Sequence, residues 1–453
     1  MNKLIGEFIE EPARATKVLS ETDVCVIGGG CTGVFAAIRA ARLGMHVILI
    51  ERNGALGGTS VMGYVNIWHS LLDDTYSQQI IGGLTDEVER RMFKEERLEY
   101  VPHSPSIGAR LDTPYLAFLL DRMCRENHVD VWFHSLYVGV SMKFPDYINA
   151  VLIENKDGRG AIKADFFIDC SGDGDVGRDL RISHYTFEKI QPPSECFLMT
   201  GRTDDEEVGQ IIRDHGEEVG LDDDWGWNGS IPGLDDIYFR ADNHVFGVNP
   251  ASAKDLSYAE QEGRRRAYAF EFLLRKYGRQ KHQVVAIAPS IGCRESVHYD
   301  SAYQVTEQDL LTGREFDDAI LHGTYRIDIH HQDDNGITFK YLDGTVRTEY
   351  GKGTKTIISD WKKETGYTGP VKHWYSVPFR ALVQNQVKNF IQAGRMINAD
   401  NSAFGALRVM VNCNQLGEAA GVAASLCVDD NIPIFTLNGK EVQKKLNDGG
   451  SML

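Results

Sequence analysis

The chain has 453 residues, 42% of them apolar and 25% charged, the composition of a globular protein of two or three domains. Its net charge of −17 argues against nucleic acid or an anionic membrane surface as a partner, because both would repel it. The eight cysteines are scattered without any C-x-x-C pair, which reads as reduced thiols and speaks against an iron–sulfur cluster or a dithiol redox site.

The first nineteen residues, MNKLIGEFIEEPARATKVL, contain acids and no long apolar core, so they read as neither a signal peptide nor a membrane span. No other stretch approaches a span, and with the cysteine usage this points to the cytoplasm. Val24, Val26 and Ile27 then predict a short buried strand, followed by Gly28, Gly30 and Gly33 at the spacing of the dinucleotide fingerprint. The first glycine permits a tight turn, the second lets backbone approach a pyrophosphate, and the third lets a helix pack closely on the strand. Val34, Ala37, Ile38, Ala41 and Leu43 continue at helical spacing until Gly44. The strand HVILIE closes the unit with Glu51, 23 positions after Gly28, where roughly 20 is expected for the acid that holds ribose hydroxyls. Arg52 and then Gly57, Gly58, Thr59 and Ser60 follow at once, instead of the second helix usual in NAD enzymes.

Residues 61–110 are mixed, with a helix at LTDEVERRMFKEERL; His69, His103 and Arg110 in this region read as ordinary polar residues. From Asp112 onward an amphipathic helix, TPYLAFLLDRMCREN, precedes the strands VDVWF, LYVGVSMKF, INAVLIEN and AIKADFFIDC, the last three forming a meander. The meander delivers Asp169 and a second glycine turn, Gly172, Asp173, Gly174, Asp175. Residues 190–370 change character, with acidic loops such as DDDWGWNGSIPGLDD beside aromatic residues, and read as an inserted mixed α+β domain that caps the site. Its long helix, LSYAEQEGRRRAYAFEFLLRKYG, carries Arg264, Arg265 and Arg266 as a solvated face. Arg294 and Glu295 end a buried run; either Arg294 faces substrate as a fixed cation, or the two form an ion pair at a domain junction. His298 and Tyr299 are weaker acid or base candidates. From residue 371 the first pattern returns: NFIQAGR predicts a strand, and LRVMVNCNQLGEAAGVAASL a helix whose Gly417, Ala419, Ala420 and Gly421 suit close approach to another backbone.

Four blocks together resemble the FAD-dependent oxidoreductase family, which has the glutathione-reductase-type FAD-binding fold and is distantly similar to the flavoprotein subunits of succinate dehydrogenase and fumarate reductase. They are VCVIGGGCTGVFAAIRAARLG with Glu51 and GALGGTS, then FFIDCSGDGDVG, then IGCRESVHYDSAYQVTEQDLLTGREFDDAI, and last the run from YSVPFRALVQ to LGEAAGVAA. The resemblance implies an α/β fold: a Rossmann-like FAD-binding domain, parallel sheet plus β-meander, in residues 1–189 and 371–453, interrupted by a substrate or cap domain in 190–370. It implies FAD held non-covalently, with Gly28, Gly30, Gly33 and Glu51 around the ADP moiety and Arg52, Gly57, Gly58, Thr59 and Ser60 toward the ring. Asp173 would sit at the second glycine turn, and Gly394, Arg395, Arg408, Asn412, Gln415 and Gly417 around the ribityl chain and ring. Grouped cysteines and the histidine motif of fumarate reductases are absent, which speaks against a succinate-like substrate.

The expected activity is hydride transfer between a small polar organic substrate and FAD, with a side chain moving the proton. Arg294 and then Arg380 are the electrostatic candidates; Tyr375, His373 and Glu295 are the candidate proton carriers. No metal is expected. No second strand–glycine–helix unit is present, which argues against a built-in NAD(P)H domain and leaves the electron acceptor unknown. A reductase of the carbon–carbon double bond of an unsaturated carboxylate and a flavin-binding electron-transfer subunit of a complex stand as alternatives, and a homo-oligomer is left open.

Overall fold

The computed structural model describes residue 9 and residues 11–104, 106–201, 204–221, 226–278, 281–351 and 355–453. Nine of the first nineteen residues, 1–8 and 10, which bear on the expectation that no signal peptide is present, and residues 222–225 of the acidic loop lie outside the described residues.

Strand β1 (Lys17–Ile27) passes from exposed to fully buried as its sequence turns from KVLSE to VCVI. Gly28 follows with φ +101°, and a Cβ there would lie 2.4 Å from the Cys170 carbonyl oxygen, so only glycine fits. Helix α1 (Cys31–Arg42) starts at once. A Cβ on Gly33 would stand 1.9 Å from the Gly28 carbonyl oxygen, which is the close helix–strand contact its position in the motif predicts. The chain returns through β2 (Val47–Ile50), entirely buried and parallel to β1. Helix α2 (Thr113–Glu126) is capped by Asp112, whose carboxylate accepts from the Tyr115 N–H at 3.1 Å, and leads to β3 (Asp130–Trp132), parallel to β2. Strands β4 (Leu136–Phe144), β5 (Tyr147–Asn155) and β6 (Gly158–Asp169) form the antiparallel meander, and β6 closes back parallel to β1.

The middle of the chain builds other sheets. Strands β7 (Ser194–Thr200), β8 (Trp227–Ile231), β9 (Leu234–His244) and, after helix α3 (Ala253–Tyr277), β10 (Gln283–Ile287) form an antiparallel sheet in the order β8-β9-β7-β10. Helix α3 packs on this sheet through Ala267, Phe270, Leu273 and Leu274. Of the three consecutive arginines in α3, Arg264 and Arg265 are exposed and Arg266 is buried. Four more strands, β11 (Ile327–His330), β12 (Gly336–Lys340), β13 (Thr345–Tyr350) and β14 (Lys355–Asp360), form a second antiparallel meander.

The chain then rejoins the first sheet. Strand β15 (Phe390–Gln392) lies parallel to the end of β6, completing seven strands in the order β3-β2-β1-β6-β5-β4 with β15 beside the end of β6 that β5 does not reach. Helix α4 (Met410–Asp430) is buried almost throughout and crosses α1 at backbone contact. A Cβ on Gly417 would meet the Thr32 carbonyl oxygen at 2.1 Å, and one on Gly421 the Ala36 carbonyl oxygen at 2.3 Å. That crossing also buries an ion pair between Arg39 and Glu418, satisfied further by the Leu84 N–H donating to Glu418 and by Arg39 donating to the Gly449 carbonyl. All eight cysteines are free thiols. Among the described residues no helix is long and apolar enough to cross a membrane.

Candidate active site

The two glycine turns, the start of α4 and the two antiparallel sheets of the middle region enclose a cavity of about 980 Å³. Gly28, Gly30, Glu51, Arg52, Gly57, Gly58 and Thr59 line its near end. Glu51 is pinned at the end of β2: its carboxylate accepts from the Gly29 N–H at 2.6 Å, and from the Asn53 N–H and side-chain amide at 2.7 and 2.8 Å. Gly30 differs from its neighbours in having space. The nearest atom to a Cβ built there is the Gly58 Cα at 3.8 Å, so its backbone faces open volume.

Asp169, fully buried, holds the second glycine turn by accepting from the Ser171 and Val176 N–H groups at 2.9 and 3.0 Å; burial pushes its carboxyl up to about 6 despite those bonds. Asp173, on that turn, accepts from Ser296 Oγ at 2.9 Å and lies 3.4 Å from Arg395 Nη2. Helix α4 begins here with an N-cap, Val409, that has no capping side chain, so its first N–H groups meet the cavity. Arg395 Nη1 and both amide atoms of Asn414 are buried on this wall without a protein partner. An open glycine cradle, a fixed acid, an uncapped helix start and orphaned polar atoms fit the adenine nucleotide, pyrophosphate and polar ring edge of a flavin dinucleotide.

The far wall is charged. Arg294 donates to the Pro192 carbonyl and Ser194 Oγ, both at 2.6 Å, and to Asp242 Oδ1 at 2.5 Å. Beyond it, His244 Nε2 and His330 Nδ1 are 2.9 Å apart, and His330 Nε2 lies 3.2 Å from Asp328 Oδ1. Both histidines are pushed below the usual imidazole range, by burial first and by Arg294 next, so they are neutral at pH 7. Two neutral imidazoles in contact pair one donor nitrogen with one acceptor nitrogen, and the other nitrogen of His330 faces the Asp328 carboxylate. Burial alone would raise the Asp328 carboxyl, but His330, Arg408 and Arg326 outweigh it and hold it well below the usual range. Asp328 Oδ2 also accepts from the Tyr325 hydroxyl at 2.8 Å and lies 3.5 Å from Arg408 Nη2.

The cavity gathers Gly28, Gly30, Glu51, Arg52, Gly57, Gly58, Thr59, Asp173, Gly394, Arg395 and Arg408 from the cofactor-binding expectations. The others sit behind it. Gly33 and Gly417 make the helix–backbone contacts described above; Ser60 Oγ donates to the Val65 carbonyl at 3.2 Å; Gln415 brackets the His322 backbone. Asn412 donates to the Ala406 carbonyl and to the Tyr375 hydroxyl.

Of the five catalytic candidates, only Arg294 lines the cavity, and its acidic partner is Asp242 rather than Glu295. Glu295 is buried, accepts from the Gln191 N–H and faces His298 at 3.5 Å. Tyr375 is buried and donates to the Tyr325 carbonyl at 3.1 Å, while His373 pairs with Asp74 and Arg380 with Asp318, both about half exposed. His298 lies in an aromatic cluster with Tyr185, Phe187 and Phe404, and Tyr299 donates to the Gly174 carbonyl, bracing the second turn.

Sequence reasoning passed over Asp242, Tyr325, Arg326, Asp328 and His330. A signal was present: Asp328-Ile-His330 puts an acid and a histidine two apart on one face of a strand, and Asp242-Asn-His244 repeats the spacing at the end of β9, where Asp242 turns to φ +56°. These two pairs meet across the cavity wall.

The model of the family described as FAD dependent oxidoreductase matches residues 23–446. Dihydrolipoyl dehydrogenase of Schizosaccharomyces pombe is 36% identical over 83 residues, 16% of each chain. Dihydrolipoamide dehydrogenase of Chaetomium thermophilum is 31% identical over 111 residues, 18% of this chain and 22% of that one. The chain thus matches less than a quarter of the length of these relatives. Among solved structures, a geranylgeranyl bacteriochlorophyll reductase-like protein of Thermoplasma acidophilum aligns with TM-score 0.46 at 11% identity, over 95% of this chain and 82% of that one. A flavin-dependent halogenase aligns with TM-score 0.45 at 14% identity, over 95% and 61%.

Proposed function

The chain belongs to the FAD-dependent oxidoreductase family, and on that premise we propose that it moves a hydride between a small polar organic substrate and FAD held without a covalent bond. The observation that carries this reading is the continuous cavity that runs from the glycine turn and Glu51 to the wall of Arg294, Tyr325 and Asp328. Bound FAD supplies the two-electron chemistry. The chain supplies position and charge. Glu51, the two glycine turns and the start of α4 orient the cofactor. Arg294, held by three hydrogen bonds on a buried wall, is a fixed cation beside any negative charge that develops on the substrate.

The Tyr325 hydroxyl is the proton donor in this reading. It stays protonated at neutral pH because burial, and secondarily Asp328, raise it. Its bond to Asp328 connects it to the neutral His330–His244 pair, through which a proton can be replaced.

The absorbance spectrum of the purified protein, taken before and after denaturation and filtration, tests the cofactor part of the reading. Flavin bands that pass into the filtrate are expected. A colourless protein that also fails to take up added FAD would sink the proposal.

A further inference from the structure

The far end of the cavity contains a cation that, among the described residues, makes no direct ion pair. Arg326 lines that end, with its guanidinium carbon 4.0 Å above the Phe339 ring and 5.8 and 5.9 Å from the rings of Tyr325 and Tyr341. It donates through Nη1 to Ser106 Oγ, and among the described residues no carboxylate lies within ion-pair distance of it. Its Nε is buried with no partner. Two acids share the wall and act on Arg326 at longer range, but their direct contacts are with other groups. Asp328 is bound by the Tyr325 hydroxyl at 2.8 Å, His330 at 3.2 Å and Arg408 at 3.5 Å, and Glu349 is paired with Arg347. Arg408, on the same wall, also keeps a buried Nε without a partner.

A buried charged donor left unpaired is costly, and native proteins seldom keep one without a ligand or water to meet it. Here two guanidinium groups leave such donors at one end of a cavity whose other end fits a cofactor. We propose that Arg326, supported by Arg408, binds a carboxylate of the organic substrate, which makes the substrate an organic acid. This rests on the proposed function in taking the cavity as the reaction site. The planar guanidinium edge matches a planar carboxylate through two parallel hydrogen bonds, and the aromatic rings of Phe339 and Tyr341 offer an apolar surface for the carbon skeleton beside it. A phosphate group, carrying more charge, costs more to take out of water at this wall, where Asp328 and Glu349 offset part of the arginines' attraction.

Calorimetric titration of the flavin-loaded protein at pH 7 with cyclohexanecarboxylate, its neutral amide and inorganic phosphate, followed in parallel by the flavin spectrum, tests this. The expected result is saturable binding of the carboxylate, at least tenfold tighter than the amide or phosphate. Arg326→Gln should weaken it tenfold or more with flavin content and thermal midpoint unchanged. Arg326→Lys, which keeps the charge and loses the fork, should fall between, and it serves as the deciding variant if Arg326→Gln does not fold. No carboxylate binding by the parent protein, equal binding of the amide, tighter binding of phosphate, or undiminished carboxylate binding by both variants would overturn the proposal. Failure of the cofactor reading is separate: it appears as a protein without flavin, and the calorimetric comparison of parent and variants still reports on Arg326.

Discussion

Glu89 shows at the scale of one residue how burial sets charge in this fold. It is 2% exposed, its Oε1 has no partner, and burial, with Asp86 next, pushes its carboxyl up to about 8. The folded protein therefore holds a proton that the unfolded chain releases above the ordinary glutamate range near 4.5. The stability this contributes is complete below about pH 4.5 and is lost as the pH rises through about 8, an effect on the order of 4 kcal/mol. Glu89→Gln cannot ionise and should not show that loss. Urea unfolding of both proteins at pH 5 and pH 9 measures the difference, and parallel behaviour would remove Glu89 as its source. The same physics keeps His244 and His330 neutral on the cavity wall, whereas Asp328 stays ionised because charged neighbours outweigh its burial.

At the scale of elements, the glycines of α1 and α4 divide into two kinds that a motif alone does not separate. Gly30 has an extended backbone, φ −61° and ψ 169°, and a methyl group added there would meet nothing closer than 3.8 Å, so Gly30→Ala should fold with an unchanged midpoint. The methyl would stand in the cradle where the cofactor backbone approaches, and FAD affinity should fall tenfold or more. Gly417→Ala should behave in the opposite way. Its methyl would stand 2.1 Å from the Thr32 carbonyl oxygen and force α4 off α1, costing about 1–3 kcal/mol of stability. Thermal unfolding of the flavin-free proteins, beside FAD titration of each, separates the two effects. A destabilised Gly30→Ala that still binds FAD normally would contradict this division.

At the scale of the whole molecule, the cavity is built from chain segments that are far apart: Gly28, Gly57, Asp173, Arg294, Asp328 and Arg395 all reach it. A ligand that binds this assembled surface and not the unfolded chain stabilises the entire fold, by about 3 kcal/mol at a free concentration 100 times its dissociation constant. The thermal midpoint of the flavin-free protein should therefore climb steadily with added FAD. A midpoint independent of FAD concentration would mean that the cofactor does not draw these segments together.

The glycine turn, Glu51, the amphipathic helices and the meander were legible in the sequence because each depends on neighbours in the chain: a φ that only glycine adopts at Gly28, a helical period in α2, a turn between short strands. The acid–histidine pairs were written in the sequence as well, but His244 and His330 lie 86 positions apart, and nothing local states that β9 and β11 meet. Charge at the end of an apolar run pointed alike to Arg294, Glu295 and Arg380. Folding sent the first to the cavity, the second into a buried contact with His298 and the third to the surface beside Asp318, because the direction a side chain faces is set by which sheets pack together. Periodicity and turn chemistry thus determined the elements, and long-range packing alone decided which charged groups share a wall.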